Sequence, residues 1–225
     1  MADSFVQRLR TLVDEDWATI KAGRFWNRVL SQPVTVDLYR DLMLQIYHYS
    51  SHNSMNQAAV AIQPAPEALL KFVYRHAAEE LGHERMVVRD LQSIGALREG
   101  DLARPPLPAT EALMGYLYFV SFRYGAIPRL GYSFWAEGVY PHIRDVFAKI
   151  SRDLTLEPRN VTFFGSHAQA DAEHIQQVED CIERFALTPE QQEAVTTVAR
   201  TTLFLTGQLL EQVAALHEHA PVPSR

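Results

Sequence analysis

Two short segments of the sequence place histidines and acids at the same helical spacing. In the second of them, His167, Asp171 and His174 follow one another at intervals of four and three residues. At about 100° per residue in an α-helix, such residues share one face. Apolar residues continue that face and indicate that it is turned towards a core: Phe164, Val178, Ile182 and Phe185. A buried carboxylate between two imidazoles is unfavourable unless it is paired or bound to metal, so the pattern predicts a site for metal ions.

The first segment repeats this spacing with His76, Glu80 and His83. Apolar residues again continue the face: Leu69, Phe72, Val73, Val87, Leu91 and Ile94. Glu80 precedes His83 by three residues, as in the carboxylate–histidine pairs of helical di-iron proteins. Glu79 lies at the edge of the face, which makes Glu80 the better ligand candidate. His76 has three interpretations: a metal ligand, a residue that orients a ligand, or a histidine of the core.

A further acid, Glu137, stands in an otherwise apolar stretch of residues 134–140. The predicted metal ligands are then three histidines and three acids: Glu80, His83, Glu137, His167, Asp171 and His174. The three acids are also the predicted catalytic residues, because they can neutralise and bridge two ions. A single histidine on an apolar face is more often a hydrogen-bonded core residue, but the combined set favours metal. Nitrogen and oxygen donors without thiolates argue against structural zinc and suit iron or manganese.

Polar residues on another predicted helix are candidates for the wall of a substrate pocket: Tyr47, His48, His52, Asn53 and Asn56. A polar patch on the protein surface explains them equally well. Arg123, in an aromatic segment, is a candidate anchor for a substrate carboxylate. An arginine that extends its charged end into solvent is the equal alternative.

Helical periodicity covers nearly the whole chain, and no segment alternates as a strand does. Prolines and glycines divide it into about seven predicted helices: residues 4–21, 35–63, 66–94, 110–138 with a bend near Gly125 and Pro128, 141–150, a helix from 157 or 160 to 185, and 189–216. The connections between them are short, which predicts one all-α, single-domain bundle over residues 1–225. Residues 1–3 and 219–225 are expected to be frayed.

The composition narrows the classes of protein that the chain can belong to. Of 225 residues, 47% are hydrophobic, which excludes a disordered chain. The net charge is −6 and no basic patch stands out, so nucleic acid and anionic membranes are not expected partners. The single cysteine, Cys181, fits a reducing compartment. The start of the chain lacks a signal peptide's apolar core, and no apolar run is long enough to span a bilayer, so a cytoplasmic location is expected.

The order Glu80-x2-His83, Glu137, His167-x3-Asp171-x2-His174 in a helical chain of this size resembles the heme-oxygenase-like di-metal oxidases. Their superfamily also includes the TenA thiaminases and the cofactorless oxidase of pyrroloquinoline quinone synthesis. The resemblance implies a heme-oxygenase-like, TenA-like fold with two irons, or an iron–manganese pair, in the site. It further implies dioxygen as co-substrate, a small-molecule substrate that can carry a carboxylate, an external electron donor and a homodimer.

Departures from related families narrow what the resemblance implies. TenA thiaminases use a cysteine nucleophile in the region corresponding to residues 133–140, and this chain has none there. Heme oxygenases need a proximal histidine near the N-terminus, which the first predicted helix lacks. His76 stands where chlamydial CADD-type relatives carry an acid, so the branch and the substrate stay open. Two alternatives remain: a metal-independent oxidase resembling the quinone-forming enzyme, and a non-catalytic, TenA-like protein that binds a small molecule.

Overall fold

The computed structural model describes residues 4–218, except for the side chains of 167–173. This part of the chain is all-α, as expected, but it contains ten α-helices rather than about seven. They are α1 Phe5–Lys21, α2 Arg24–Ser31, α3 Val36–Ala58, α4 Glu67–Glu79, α5 Glu84–Ser93, α6 Pro108–Arg123, α7 Ala126–Glu137, α8 Tyr140–Asp153, α9 Thr162–Phe185 and α10 Pro189–Leu216. None of the described helices is both long and apolar enough to cross a membrane.

The additional helices come from two breaks and one short helix that the periodicity did not predict. Residues 80–83 form a turn between α4 and α5, and Gly82 there has φ 94°, a left-handed conformation that favours glycine. The predicted bend near Gly125 is a complete break between α6 and α7. The helix α2 has only eight residues, too few to be stable alone, and depends on burial of Phe25, Trp26 and Val29.

Side chains cap the free backbone N–H groups at the N-termini of several helices. Ser4 caps α1 and Thr188 caps α10, each with a glutamine three residues later that completes a capping box. The start of α9 is capped from another helix. Asp90 of α5, which is fully buried, accepts hydrogen bonds from the backbone N–H groups of Thr162 and Phe163, each at 2.9 Å. This contact fixes the start of the helix that carries His174.

The helix α7 lies in the interior and packs closely against α10. A Cβ atom on Gly131 would lie 2.2 Å from the carbonyl oxygen of Val195 and 2.8 Å from the backbone nitrogen of Ala199. The two backbones can therefore approach this closely only because residue 131 has no side chain. Most of α7 is buried, and its last residue, Glu137, is held inside the protein at 7% exposure.

Candidate metal centre

Three helices bring a cluster of ligand-type side chains together: His76 from α4, Glu137 from α7 and His174 from α9. Oε1 of Glu137 lies 3.1 Å from Nε2 of His76, and Oε2 lies 3.3 Å from Nδ1 of His174. One donor atom from each residue lies within 4.8 Å of the other two. His76 and Glu137 are buried, and His174 is partly so. Two imidazoles and one carboxylate at these distances can hold a metal ion.

Electrostatics keeps Glu137 in the form that binds metal. Burial opposes its ionisation, but contacts with His174 and His76 outweigh burial and lower the pKa of Glu137 to about 2. The pKa of His174 is raised, chiefly by its hydrogen bond with Glu137 and against the effect of burial. The nearby charge of Glu79, whose Oε2 lies 3.6 Å from Nε2 of His174, adds to this effect. Glu137 is therefore an ionised carboxylate at neutral pH inside the protein.

The surroundings of His76 fit a metal ligand. Its Nδ1 lies 2.6 Å from the side-chain amide of Gln57, which is buried in α3. Nε2 of His76 faces Glu137 without a hydrogen-bond geometry, and Oε1 of Gln57 also has no hydrogen-bond partner. After a half-turn of the Gln57 amide, its oxygen accepts from Nδ1–H of His76, and Nε2 is left to donate to Glu137 or, once it has lost its proton, to bind a metal ion. This is the arrangement in which a histidine binds metal while a second residue fixes its tautomer.

Glu80 and His83 form a second ligand-type pair beside this cluster. Oε2 of Glu80 lies 3.4 Å from Nδ1 of His83, and it also accepts a hydrogen bond of 3.0 Å from Nδ2 of Asn53. The pKa of His83 is raised, mainly by its hydrogen bond with Glu80, with a smaller contribution from Glu137. The expectation that His76, Glu80 and His83 share a face of one continuous helix is wrong, because the chain turns at residues 80–83. The turn nevertheless leaves Glu80 buried at 6% exposure.

The remaining predicted ligands, His167 and Asp171, belong to α9. Their side chains lie outside the described residues, so their roles stay predictions. His174 is three residues further along the same helix, and its side chain reaches the cluster. The ligand role of each of the six predicted residues likewise stays a prediction, and His76 lies as close to Glu137 as His174 does.

Of the predicted pocket residues on α3, Asn53 lines the cavity beside the centre, which is described below, whereas Tyr47, His48 and His52 do not. Nδ1 of His52 is 3.1 Å from the hydroxyl of Tyr118, and the half-buried rings of Tyr47 and His48 are 5.5 Å apart. Arg123 is exposed at the end of α6, with its guanidinium over a neighbouring tyrosine ring.

Arg129 and Gln57 are the functional candidates that sequence reasoning missed. Arg129 is 3% exposed, and burial lowers its pKa to about 10, so it remains charged at neutral pH. The nearby charges of Glu80 and Glu137 offset part of this lowering of the Arg129 pKa. The sequence signal for Arg129 is that it is the lone charged residue in the apolar first part of α7. The signal for Gln57 is its position four residues after Asn53, on the same face of α3.

A cavity of about 170 Å³ opens beside the centre. Glu80, Glu137 and Asn53 are among the polar residues of its wall. Most of the wall is apolar, with side chains from several helices, among them Trp17, Leu42, Ile143, Phe164 and Leu209. No lysine or arginine of the described residues lines it. The carboxylates therefore face a largely apolar cavity suited to an apolar molecule.

Comparison with known proteins identifies the family. Residues 40–207 match the model of the iron-containing redox enzymes. The chain belongs to this family. A domain of unknown function with a heme oxygenase-like fold from Shewanella denitrificans OS217 is 36% identical, with a TM-score of 0.91 over 100% of this chain and 98% of that chain. The expected heme-oxygenase-like superfamily is thereby confirmed.

More distant structures share the fold of this iron-containing redox enzyme family member. A TenA homologue from P. horikoshii OT3 is 14% identical, with a TM-score of 0.76 over 95% of this chain and 99% of that chain. A TenA homolog from Pseudomonas syringae pv. tomato str. DC3000 is 12% identical, with a TM-score of 0.76 over 93% and 92%. At these identities the likeness shows the fold alone. No curated protein matches the chain.

Proposed function

We propose that this member of the iron-containing redox enzyme family is a non-heme oxidase or oxygenase. It would use two iron ions, or an iron–manganese pair, and dioxygen to oxidise a small organic molecule. The observation that carries the proposal is the cluster of His76, Glu137 and His174 at a largely apolar cavity whose wall also contains Glu80. Paired carboxylates and imidazoles without thiolates suit these metals.

Two groups of residues would hold the metal ions. His76, Glu137 and His174 supply one set of donors. Glu80 and His83 supply another, to which the predicted ligands His167 and Asp171 would add. Bound iron would supply the one-electron chemistry that reaction with dioxygen needs, and an external electron donor would restore the reduced state. A homodimer stays a prediction.

The chain's own residues bind the substrate and exclude water from it. The apolar wall favours an apolar molecule, and a carboxylate on that molecule would face the metal centre, since no basic side chain of the described wall can pair with it. Tyr49 and Tyr132 also line the cavity. Burial raises the pKa of Tyr132 to about 12 and raises that of Tyr49 further. Both phenols therefore keep their protons at neutral pH and can donate hydrogen bonds to a bound molecule.

Chemistry based on a thiol nucleophile has little support. Cys181 does not line the cavity, and burial raises the pKa of its thiol to about 11. A thiol with this pKa is almost entirely protonated at neutral pH and is a poor nucleophile. The alternatives to a di-metal oxidase are therefore a metal-independent oxidase and a non-catalytic binding protein.

Metal loading followed by exposure to dioxygen tests the proposal. The protein is loaded with ferrous iron under anaerobic conditions, desalted and analysed for metal, and oxygen consumption is then followed with ascorbate as electron donor. We expect close to two irons per chain, and oxygen consumption that stops when iron is chelated. Glu137→Gln should lower the iron content, whereas Glu183→Gln, a change at an exposed position of α9, should not.

Three results would contradict this expectation. Iron content well below one per chain in the unaltered protein refutes a di-metal centre. Oxygen consumption that persists with all metal chelated supports the metal-independent oxidase. A protein that binds an apolar ligand but neither binds iron nor consumes oxygen supports the non-catalytic binding protein.

A further inference from the structure

Glu80 lies beyond the last regular turn of α4, at the start of the 80–83 turn. Its backbone is still helical, but the contacts of its side chain fix the direction in which the carboxylate points. One of these contacts is a hydrogen bond of 3.0 Å from Nδ2 of Asn53 to Oε2 of Glu80. Asn53 belongs to α3, so this bond joins the turn to a different helix.

The other end of the Asn53 amide is also engaged. Its Oδ1 accepts a hydrogen bond of 3.0 Å from Nη2 of Arg129 in α7. A guanidinium can only donate and an ionised carboxylate can only accept, so an amide between them has a single productive orientation. Arg129, Asn53 and Glu80 thus form a directed chain of hydrogen bonds from a cation to a carboxylate.

Arg129 is itself rigidly held. Its Nε and Nη2 donate to Oδ1 of Asn56 at 3.1 and 2.8 Å, and its Nη1 donates to Oγ of Ser133 at 3.0 Å. The guanidinium also lies 4.4 Å from the ring centre of Tyr132. Among the described residues it forms no ion pair with a carboxylate. A buried cation is costly, and the hydrogen bonds of Arg129 to Asn53, Asn56 and Ser133 help to compensate for that cost.

We propose that Asn53 and Arg129 are positioning residues that hold Glu80 in the orientation needed to bind a metal ion. The proposal rests on the proposed function, because it assigns Glu80 to a metal. Residues that hydrogen-bond to a ligating carboxylate fix its direction, and their loss weakens metal binding by about 10–100-fold. The described hydrogen bonds of these two residues lead to Glu80 and not to His76, His174 or Glu137, so their directional effect on the metal passes through Glu80, while the charge of Arg129 also acts on Glu137.

Asn56 supplies a matched control. It accepts two hydrogen bonds from the same guanidinium, and unlike Asn53 it has no bond to Glu80. Metal-free Asn53→Ala and Asn56→Ala are titrated anaerobically with Co²⁺, whose visible absorption reports the ligands and geometry of the ion. We expect Asn53→Ala to weaken Co²⁺ binding by about 10–100-fold and to alter the spectrum. Asn56→Ala should weaken Co²⁺ binding and change the spectrum much less than Asn53→Ala, because Nη2 of Arg129 still donates to Asn53, although it removes a fully buried side chain and lowers the melting temperature at least as much.

A double-mutant cycle decides whether the effect passes through Glu80. On a Glu80→Ala background, Asn53→Ala should cause no further loss of Co²⁺ affinity. Arg129→Lys keeps the positive charge but loses the planar guanidinium that bonds to several partners at once. Its effect on Co²⁺ affinity should vanish on the Glu80→Ala background. The positioning role would be overturned if the losses of Co²⁺ affinity in the two single variants multiplied in the double variant. An equal spectral change in Asn56→Ala and Asn53→Ala would overturn it as well. Unaltered protein that binds neither Co²⁺ nor Fe²⁺ would overturn the proposed function as well, whereas unaltered affinity in Asn53→Ala overturns only this inference.

Discussion

Replacement of Glu137 by glutamine isolates the electrostatic part of the metal centre. The substitution keeps the size of the side chain and removes its charge. Glu137 is 7% exposed, with one carboxylate oxygen 3.1 Å from His76 and the other 3.3 Å from His174. These contacts make its ionised form more favourable in the folded protein than in the unfolded chain.

The size and sign of the effect follow from the pKa of Glu137. Folding lowers this pKa from 4.5 to about 2, which corresponds to about 3 kcal/mol of stability. Because the folded pKa is the lower one, the contribution is fully present above pH 4.5 and is lost as the pH falls towards 2. Between pH 5 and pH 3 the loss amounts to about 2 kcal/mol. Glu137→Gln lacks this contribution at every pH.

Urea denaturation of chelator-treated protein at several pH values measures the effect. The free energy of unfolding of the unaltered protein should exceed that of Glu137→Gln by an amount that shrinks by about 2 kcal/mol between pH 5 and pH 3. Glu183→Gln, at an exposed position, should follow the unaltered protein throughout. A constant difference between the unaltered protein and Glu137→Gln over this range would refute the account of Glu137 as a buried, ionised partner of two histidines.

Three other substitutions test the contacts that position the centre. Asp90→Ala removes the cap of α9 and should lower the free energy of unfolding by about 2–3 kcal/mol in urea denaturation, with unaltered stability contradicting the capping role. Gly131→Ala should destabilise the protein by about 1–3 kcal/mol, because the added methyl group meets the backbone of α10. Gly115→Ala, which has open space around it in α6, should stabilise the protein by about 1 kcal/mol. Equal melting temperatures of the two variants would contradict the close approach of α7 and α10. Gln57→Leu should weaken Co²⁺ binding about 10–100-fold by releasing the His76 ring, and an unchanged titration would exclude that role.

Helix boundaries that depend on local signals were predictable. The last helix was expected over residues 189–216 and is observed as Pro189–Leu216, because Thr188 and Pro189 form a start signal that acts within a few residues. The expected helix over residues 66–94 is instead two helices. Helical periodicity continues on both sides of Gly82, so the pattern alone does not reveal the turn, and the contact between Glu80 and Asn53 of α3 that helps to hold this turn is not local.

Residue types and their spacing were enough to predict an all-α chain and the acids and histidines from which a metal centre could be built, because these follow from side-chain chemistry and the 3.6-residue period. The family was predicted from the resemblance of the motif order to known proteins, and the match to the family model confirms it. Which of these side chains meet was decided only by tertiary packing. His76 precedes Glu137 by 61 positions, and α4, α7 and α9 must pack together before the two can touch. The same holds for Arg129 of α7, whose hydrogen bond to Asn53 joins two helices that are far apart in the sequence. Sequence spacing measures separation along one helix, whereas distances between helices depend on how all of them bury their apolar faces.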